Sequence, residues 1–208
     1  SIAGDGPLVD PTGLAVDSTD TLYVADQNTN QIHVFSNSGE HLDTFDVTDS
    51  FGNTILWKVE TLAIDESRNL LFATSENEVT IEVFELSSGT YLGKQVTEIR
   101  ESGGPTLQPG RITASIEGIG TDIEAGILFV NDEEAGRMML LDMNAGEDPF
   151  DPAADYAFRG AFSSTAHFAG ADGVYPAEEF DRVAVADQNS SRVQVFLLSE
   201  IYEALGID

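Results

Sequence analysis

The sequence contains no cysteine, which excludes both a disulfide framework and a thiol-based active site. Lysine is nearly absent, with only Lys58 and Lys94, and the basic residues together number 9 against 37 acidic residues. No apolar run approaches the roughly 20 residues that span a bilayer. The net charge of −28 repels nucleic acid and anionic membranes, so we expect neither as a partner.

The acidic surplus has two interpretations, and both can hold. One is a solvated acidic surface of a halophilic protein, adapted to salt water and without any further function. The other is a set of calcium sites, because calcium takes six to eight oxygen ligands that are mostly carboxylate, carbonyl and water.

An internal repeat is the main feature of the sequence. Four 14-residue segments align without a gap: LYVADQNTNQIHVF (22–35), LFATSENEVTIEVF (71–84), LFVNDEEAGRMMLL (128–141) and VAVADQNSSRVQVF (183–196). In each segment, β-branched or aromatic residues flank a polar centre of Asn, Asp, Ser or Gly. That pattern predicts two strands joined by a tight turn.

Further strands are expected on both sides of these hairpins. A short strand precedes each one, at 12–17, 60–65, 117–122 and 172–177, and a fourth strand follows at 41–46, 90–96 and 156–162. About four antiparallel strands in each repeat predict an all-β protein, a four-bladed β-propeller that forms a single domain over residues 1–208. A β-sandwich is the alternative, but it does not predict the same turn chemistry four times.

The two ends of the chain are expected to differ from the repeats. Residues 199–205 predict a short C-terminal helix with Ser199 as its N-cap. Residues 1–9 are expected to lie against the last blade and so to complete the ring. Two segments rich in Gly, Pro and Asp, 101–110 and 144–155, are expected to be loops.

Two family resemblances accompany the repeat. The segment PTGLAVDSTDTLYVADQNTNQIHVF resembles an NHL-type propeller repeat. The segment IEGIGTDIEAGILFVNDEE (116–134) resembles the Glu-Gly strand and acidic hairpin of the β-propeller phytases. Residues 3–17, 74–89 and the C-terminal hairpin and helix are similar to further parts of that family.

The phytase resemblance implies a secreted, calcium-dependent phosphohydrolase, and hence an extracellular or periplasmic location. Enzymes of that family have six blades, with calcium at one end of the channel and basic residues that hold the substrate phosphates. This chain is two blades shorter. It has Gln27, Asn28 and Glu76 where the family has basic residues, so most of the phosphate-binding set is lost.

One column of the aligned repeats predicts a metal site. Glu60, Glu117 and Asp172 take the first position of the innermost strand, and the first repeat has Thr12 there with Asp10 nearby. Equivalent positions of inner strands form a ring around the channel, where crowded carboxylates repel one another unless a cation is present. We therefore predict Asp10, Glu60, Glu117 and Asp172 as Ca²⁺ ligands, although side chains that merely face solvent are an alternative.

Two further columns of aspartate have a structural interpretation. Asp26, Asp132 and Asp187 lie where the hairpin enters its turn, and Asp17, Asp65 and Asp122 close the inner strand. Aspartate at such positions accepts backbone N–H groups and stabilises turns.

Two functions remain open from the sequence. The first is a calcium-dependent phosphomonoester hydrolase of phytase type, in which Glu117 orients the attacking water and Lys58 and Arg111 contact a phosphorylated small molecule. The second is a non-catalytic propeller that binds a ligand or a protein partner and uses calcium only for stability.

Overall fold

Each of the four repeats forms one antiparallel sheet, and each sheet is one blade of a β-propeller. The computed structural model describes residues 7–75, 79–96, 116–133, 135–144, 157–163, 168 and 170–207. The predicted fold class is confirmed: the molecule has four blades, consists mostly of strand, and has one short C-terminal helix.

The strands follow the chain order within every blade. The first blade has β1 (Pro11–Val16), β2 (Leu22–Asp26), β3 (Gln31–Phe35) and β4 (His41–Asp46), and the second has β5 (Val59–Asp65), β6 (Leu70–Ser75), β7 (Thr80–Glu85) and β8 (Tyr91–Val96). The third has β9 (Ile119–Asp122), β10 (Ile127–Asp132), β11 (Arg137–Asp142) and β12 (Ala157–Phe162), and the fourth has β13 (Ala171–Ala177), β14 (Arg182–Asp187) and β15 (Arg192–Leu197). Among the described residues, the fourth blade therefore has three strands where the others have four.

The predicted hairpins form with the expected register. Asp26 pairs with Gln31 at the end of the first hairpin, and Asp187 pairs with Arg192 at the end of the last. Short 3₁₀ turns at Glu66–Arg68 and Glu178–Phe180 connect the innermost strand to the second strand in two blades.

Neighbouring blades pack through apolar faces, and three cores result. The first core joins blades one and two around Ile32 and Phe84, the second joins blades two and three around Phe72 and Met139, and the third joins blades three and four. Burying apolar surface stabilises the fold by about 25 cal/mol per Å². These cores therefore hold the repeats together, since a single blade cannot bury its own faces.

The innermost strands approach one another closely, which two glycines permit. A Cβ atom on Gly13 would lie 2.1 Å from the carbonyl oxygen of Glu60 in the next blade. A Cβ atom on Gly118 would lie 3.0 Å from the carbonyl oxygen of Asp172. In addition, the Thr12 hydroxyl donates to the Glu60 carbonyl at 3.1 Å. These contacts fix the inner strands around a central channel.

The C-terminal helix α1 (Leu198–Leu205) confirms the predicted helix but corrects its cap. Its N-cap residue is Leu197, which provides no side-chain hydrogen bond, whereas the Asp181 carboxylate accepts both the N–H and the hydroxyl of Ser199 at 2.7 Å. Of the segment expected to lie against the last blade, residues 1–6 are outside the described residues, and the Val9 N–H donates to Asp26 in the first blade. Within the described residues, no helix is long and apolar enough to cross a membrane.

Candidate functional site

The acidic residues that follow the inner strands stabilise turns, as predicted. Asp17 accepts the N–H groups of Thr19 and Thr21, each at 2.9 Å. Burial raises the pKa of Asp17, but these hydrogen bonds together lower it by more, so the net shift of the pKa is downward. Asp65 accepts the Arg68 N–H, and Asp122 accepts the Ala125 N–H at 2.8 Å.

The Tyr202 hydroxyl of the C-terminal helix donates to Asp122 at 2.6 Å. Burial, followed by the hydrogen bond and the charge of Asp122, raises the Tyr202 pKa. This contact joins helix α1 to the third blade, so Asp122 organises both a turn and the packing of the C-terminus.

The aspartates at the hairpin turns are buried and bonded, although in more than one way. Asp26 accepts the Thr29 N–H at 3.1 Å, which is the predicted turn contact. Asp132 and Asp187 bind arginines across the hairpin, Arg137 at 2.9 Å and Arg192 at 3.0 Å. The repeat therefore keeps the carboxylate, but the group that neutralises it differs between blades.

The candidate site lies at one end of the channel. The channel has a volume of about 970 Å³, and all four innermost strands contribute to its lining. Glu60, Glu117 and Asp172 line it, as the alignment predicts, together with the turn residues Gln27 and Gln188. None of the three is the first residue of its strand as expected: Glu60 and Asp172 are the second residues of β5 and β13, and Glu117 precedes β9 by two residues.

Four carboxyl groups surround this end of the channel: Glu60, Glu117, Glu133 and Asp172. We call them the mouth carboxyls. Glu117 lies at their centre, where it shares hydrogen bonds with Glu133 and with Asp172. Burial raises the Glu117 pKa to about 8, with contributions from the hydrogen bond to Glu133 and from the negative charges of its neighbours. At neutral pH Glu117 is therefore mostly protonated and donates a hydrogen bond.

Asp172 is held in a similar environment. Burial raises its pKa, the hydrogen bond from Glu117 lowers it, and the charges of Glu133 and Asp187 raise it again, for a net upward shift. Its Oδ1 atom is buried and has no hydrogen-bond partner among the described residues. A buried carboxylate oxygen without a donor is costly, so the mouth favours any cation that can reach it.

The predicted calcium ligands are only partly brought together. Asp10 is absent from the channel lining, while Glu60, Glu117 and Asp172 do line it. Among the described residues, no group of three or more His, Asp or Glu side chains is arranged to hold a metal ion. A calcium ion would require the mouth carboxyls to reorient.

The basic residues do not form a phosphate-binding set in the described part of the chain. Lys58 lies in a neighbouring groove with Trp57 and is not part of the channel lining, while Arg111 lies outside the described residues. The five described arginines are all bound to carboxylates: Arg68 to Asp65, Arg137 to Asp132, Arg159 to Asp142, Arg182 to Asp181 and Arg192 to Asp187.

Glu133 is the residue of the site that the sequence reasoning missed. It occupies the same place in the aligned hairpins as Gln27, Glu76 and Gln188, immediately after the turn aspartate. Because Gln27 and Gln188 line the channel, this column of the repeat also borders the mouth. The alignment therefore indicates that Glu133 lies near the channel, although the inner-strand column alone does not include it.

Comparison with known proteins supports the fold and one repeat type. An NHL repeat model matches residues 8–35, which correspond to the first three strands. The chain is a β-propeller, and its first repeat is similar to an NHL repeat. No curated protein matches it.

Solved structures similar to this β-propeller share its fold at low sequence identity. U3-55K has 14% identity and a TM-score of 0.56, with 92% of this chain and 53% of that chain covered. A structure of the RRP9 WD40 repeats has 14% identity and a TM-score of 0.55, with 92% and 52% covered. A chain from a nidogen/laminin complex has 18% identity and a TM-score of 0.60, with 91% and 61% covered. This chain thus spans less than two thirds of each, and none of these matches identifies a phytase.

Proposed function

We propose that this β-propeller is a non-catalytic scaffold that binds a protein partner at the mouth of its channel. The observation that supports this most is the crowding of the mouth carboxyls where no basic residue lines the channel within the described part of the chain. A mouth of this charge repels a phosphate and attracts a cationic group.

A lysine or arginine side chain of a partner protein suits this site chemically. Such a group would donate to the unbonded Oδ1 of Asp172 and would favour loss of the proton that Glu117 carries. A similar fold occurs in the nidogen/laminin complex, which is an assembly of two proteins.

The hydrolase interpretation receives less support from the geometry. The described arginines are engaged in ion pairs, and Lys58 lies outside the channel lining. With a pKa of about 8, Glu117 carries a proton in most molecules at neutral pH, so only a minor fraction is ionised and able to accept a proton from water. If the protein hydrolysed a phosphomonoester in millimolar calcium, and lost that activity in Glu117→Gln, the proposed scaffold function would be wrong.

Binding of a lysine-rich peptide tests the proposal. Fluorescence anisotropy with such a peptide, and with its fully acetylated form, should show binding only of the charged peptide in 0.15–1 M NaCl. A triple variant at the mouth, Glu60→Gln with Glu117→Gln and Asp172→Asn, should weaken binding about tenfold or more.

The matched control removes the same charge from exposed positions. Glu40→Gln with Glu179→Gln and Glu203→Gln replaces three exposed carboxylates, so it removes at least as much negative charge as the mouth variant, in which Glu117 is mostly protonated beforehand. If both triple variants weaken binding to the same extent, the peptide responds only to overall charge and the mouth is not its site.

Calcium is a second candidate ligand for the same carboxyls. Repulsion between Asp172 and the neighbouring carboxyls favours calcium binding. A bound cation would reduce this repulsion and would take the place of the proton on Glu117. Calcium would then stabilise the channel mouth without any catalytic role.

A further inference from the structure

Each blade has two faces, and the aligned repeats assign every residue to one of them. We call the face directed toward the following blade the forward face, and the face directed toward the preceding blade the backward face. In the first three blades the forward faces are buried in the inter-blade cores and carry Tyr23, Ile32 and Val34, then Phe72, Ile81 and Val83, then Phe129, Met138 and Leu140.

The forward face of the fourth blade is apolar but exposed. The residues aligned with those above are Ala184, Val193 and Val195, and Tyr175 from the inner strand lies beside them. Tyr175 is directly opposite Ala184, and Ala184 is opposite Val195, so these side chains form one continuous row across the sheet. Tyr175, Val193 and Val195 are 70%, 65% and 58% exposed.

The backward face of the first blade is exposed at its inner strand. Leu14 and Val16 align with Leu62 and Ile64 of the second blade, which are buried in the first core. In contrast, Leu14 and Val16 are 65% and 53% exposed, whereas Val24 and Phe35, on the second and third strands of the same face, are buried. Within the described residues, three cores join the four blades and no fourth core joins the last blade to the first.

We infer that the fourth blade of one copy of this chain packs on the first blade of a second copy. The pairing of a forward face with a backward face is the one that the chain already uses three times. The strand β14, with the sequence VAVA at 183–186, is apolar on both faces, which is typical of a strand that is buried on both sides.

A pair of copies can bury both exposed faces of each. Such a contact is heterologous, because different surfaces meet, and it forms a ring if the rotation closes. Two copies would give eight blades, which lies within the usual range of about 4–8 for propellers. We therefore expect a dimer of two head-to-tail contacts.

The charge of the chain sets the conditions for this association. Each copy carries −28, so two copies repel each other strongly at low ionic strength. Salt screens that repulsion, while burial of apolar side chains does not depend on opposite charges. Association should therefore strengthen as NaCl rises from about 0.05 M to 1 M.

Light scattering coupled to size-exclusion chromatography tests the inference. In 1 M NaCl the protein should have twice the 22.3 kDa mass of the chain. Leu14→Asp and Val195→Asp should each weaken association by at least about tenfold, because each places a charge in an apolar contact. Phe51→Asp is the matched control, since Phe51 is an even more exposed apolar residue that lies between β4 and β5 and outside the blade strands, and it should leave the mass unchanged.

Mixing the two variants identifies which faces meet. Leu14→Asp retains an intact forward face and Val195→Asp retains an intact backward face, so a head-to-tail contact requires that they form a one-to-one dimer when mixed. A self-complementary contact would give no such rescue. The side chains are exposed, so circular dichroism and thermal unfolding should show that both variants remain folded.

Three outcomes would overturn the inference. A monomer at every salt concentration would mean that the fourth blade closes on the first blade of the same chain or that the faces stay solvated. A dimer that Phe51→Asp disrupts equally would lie elsewhere on the surface. A dimer that dissociates as salt rises would depend on ion pairs and not on these apolar faces.

Discussion

The two ends of the inner strands carry the same type of residue in opposite situations. Where the strands end, Asp65 and Asp122 are buried and accept hydrogen bonds from backbone N–H groups and from other donors. Where the strands begin, Glu117 and Asp172 are bonded to each other and surrounded by other carboxyls, and the pKa of each is raised. Burial is common to both ends. The difference lies in the neighbours, which are donors at one end and acceptors at the other.

This comparison predicts that loss of a carboxylate where the strands end lowers the stability of the fold, whereas neutralising carboxylates where the strands begin raises it. The largest effect is expected for Asp122→Ala. The substitution leaves the Ala125 N–H and the Tyr202 hydroxyl without their acceptor. Each such loss costs about 1–3 kcal/mol, so we expect destabilisation of about 3 kcal/mol in urea unfolding. Asp122→Asn keeps an acceptor oxygen and should cost less. If Asp122→Ala costs no more than Glu203→Ala on the exposed side of the helix, the turn does not depend on this carboxylate.

Calcium should act at the opposite end and raise stability. Binding to the native state alone adds about 2.7 kcal/mol when calcium is in hundredfold excess over its Kd. Millimolar CaCl₂ at fixed ionic strength should therefore raise the Tm by several degrees, and EDTA should reverse the change. Magnesium should act more weakly because it requires a tighter octahedral set of ligands. An equal response of Glu117→Gln would show that the ion binds elsewhere.

The pH dependence of stability should reveal the raised pKa of Glu117. The folded protein binds a proton there up to about pH 8, whereas the unfolded chain loses it near the ordinary glutamate pKa of 4.5. The native state therefore binds more protons in this interval, and stability must fall as pH rises from about 5 to 8. We expect a decrease of a few degrees in Tm, at about 2–4 °C per kcal/mol for a chain of this size.

Glu117→Gln is the control for that pH dependence. Glutamine keeps the shape and the hydrogen-bonding capacity but does not titrate, so the difference in Tm between the variant and the parent should grow toward pH 8. A constant difference from pH 5 to pH 8 would mean that Glu117 titrates normally in the folded protein.

The smallest effect on stability is expected from an increase in NaCl concentration. The net charge of −28 disfavours the compact state, and screening extends over about 8–10 Å at physiological ionic strength. Raising NaCl from about 0.05 M to 1 M should increase the Tm by a few degrees. A Tm that does not change with salt would show that the acidic surface imposes little cost on folding.

The candidate site was partly accessible from the sequence. Glu60, Glu117 and Asp172 share a position in the repeat, and repeated blades bring equivalent positions of the inner strands to the same end of the channel. Glu133 was not identified, because its contact with Glu117 joins a hairpin turn to an inner strand. Such a contact depends on how far the turn reaches over the channel, which strand periodicity does not specify.

The sequence by itself determined the hairpins, the four blades and the ends of most strands, because alternation of apolar residues and turn chemistry are local properties. It also placed the turn aspartates Asp17, Asp65 and Asp122 correctly, since the backbone N–H groups that bond to them in the turns lie within four residues. Only the tertiary structure decided that Asp181 accepts the Ser199 N–H at the start of the C-terminal helix, that the pKa of Glu117 is raised, and that Leu14 and Val195 on the first and last blades are exposed. Each of these depends on groups brought together from distant parts of the chain, and their distances and burial exist only once the blades have packed.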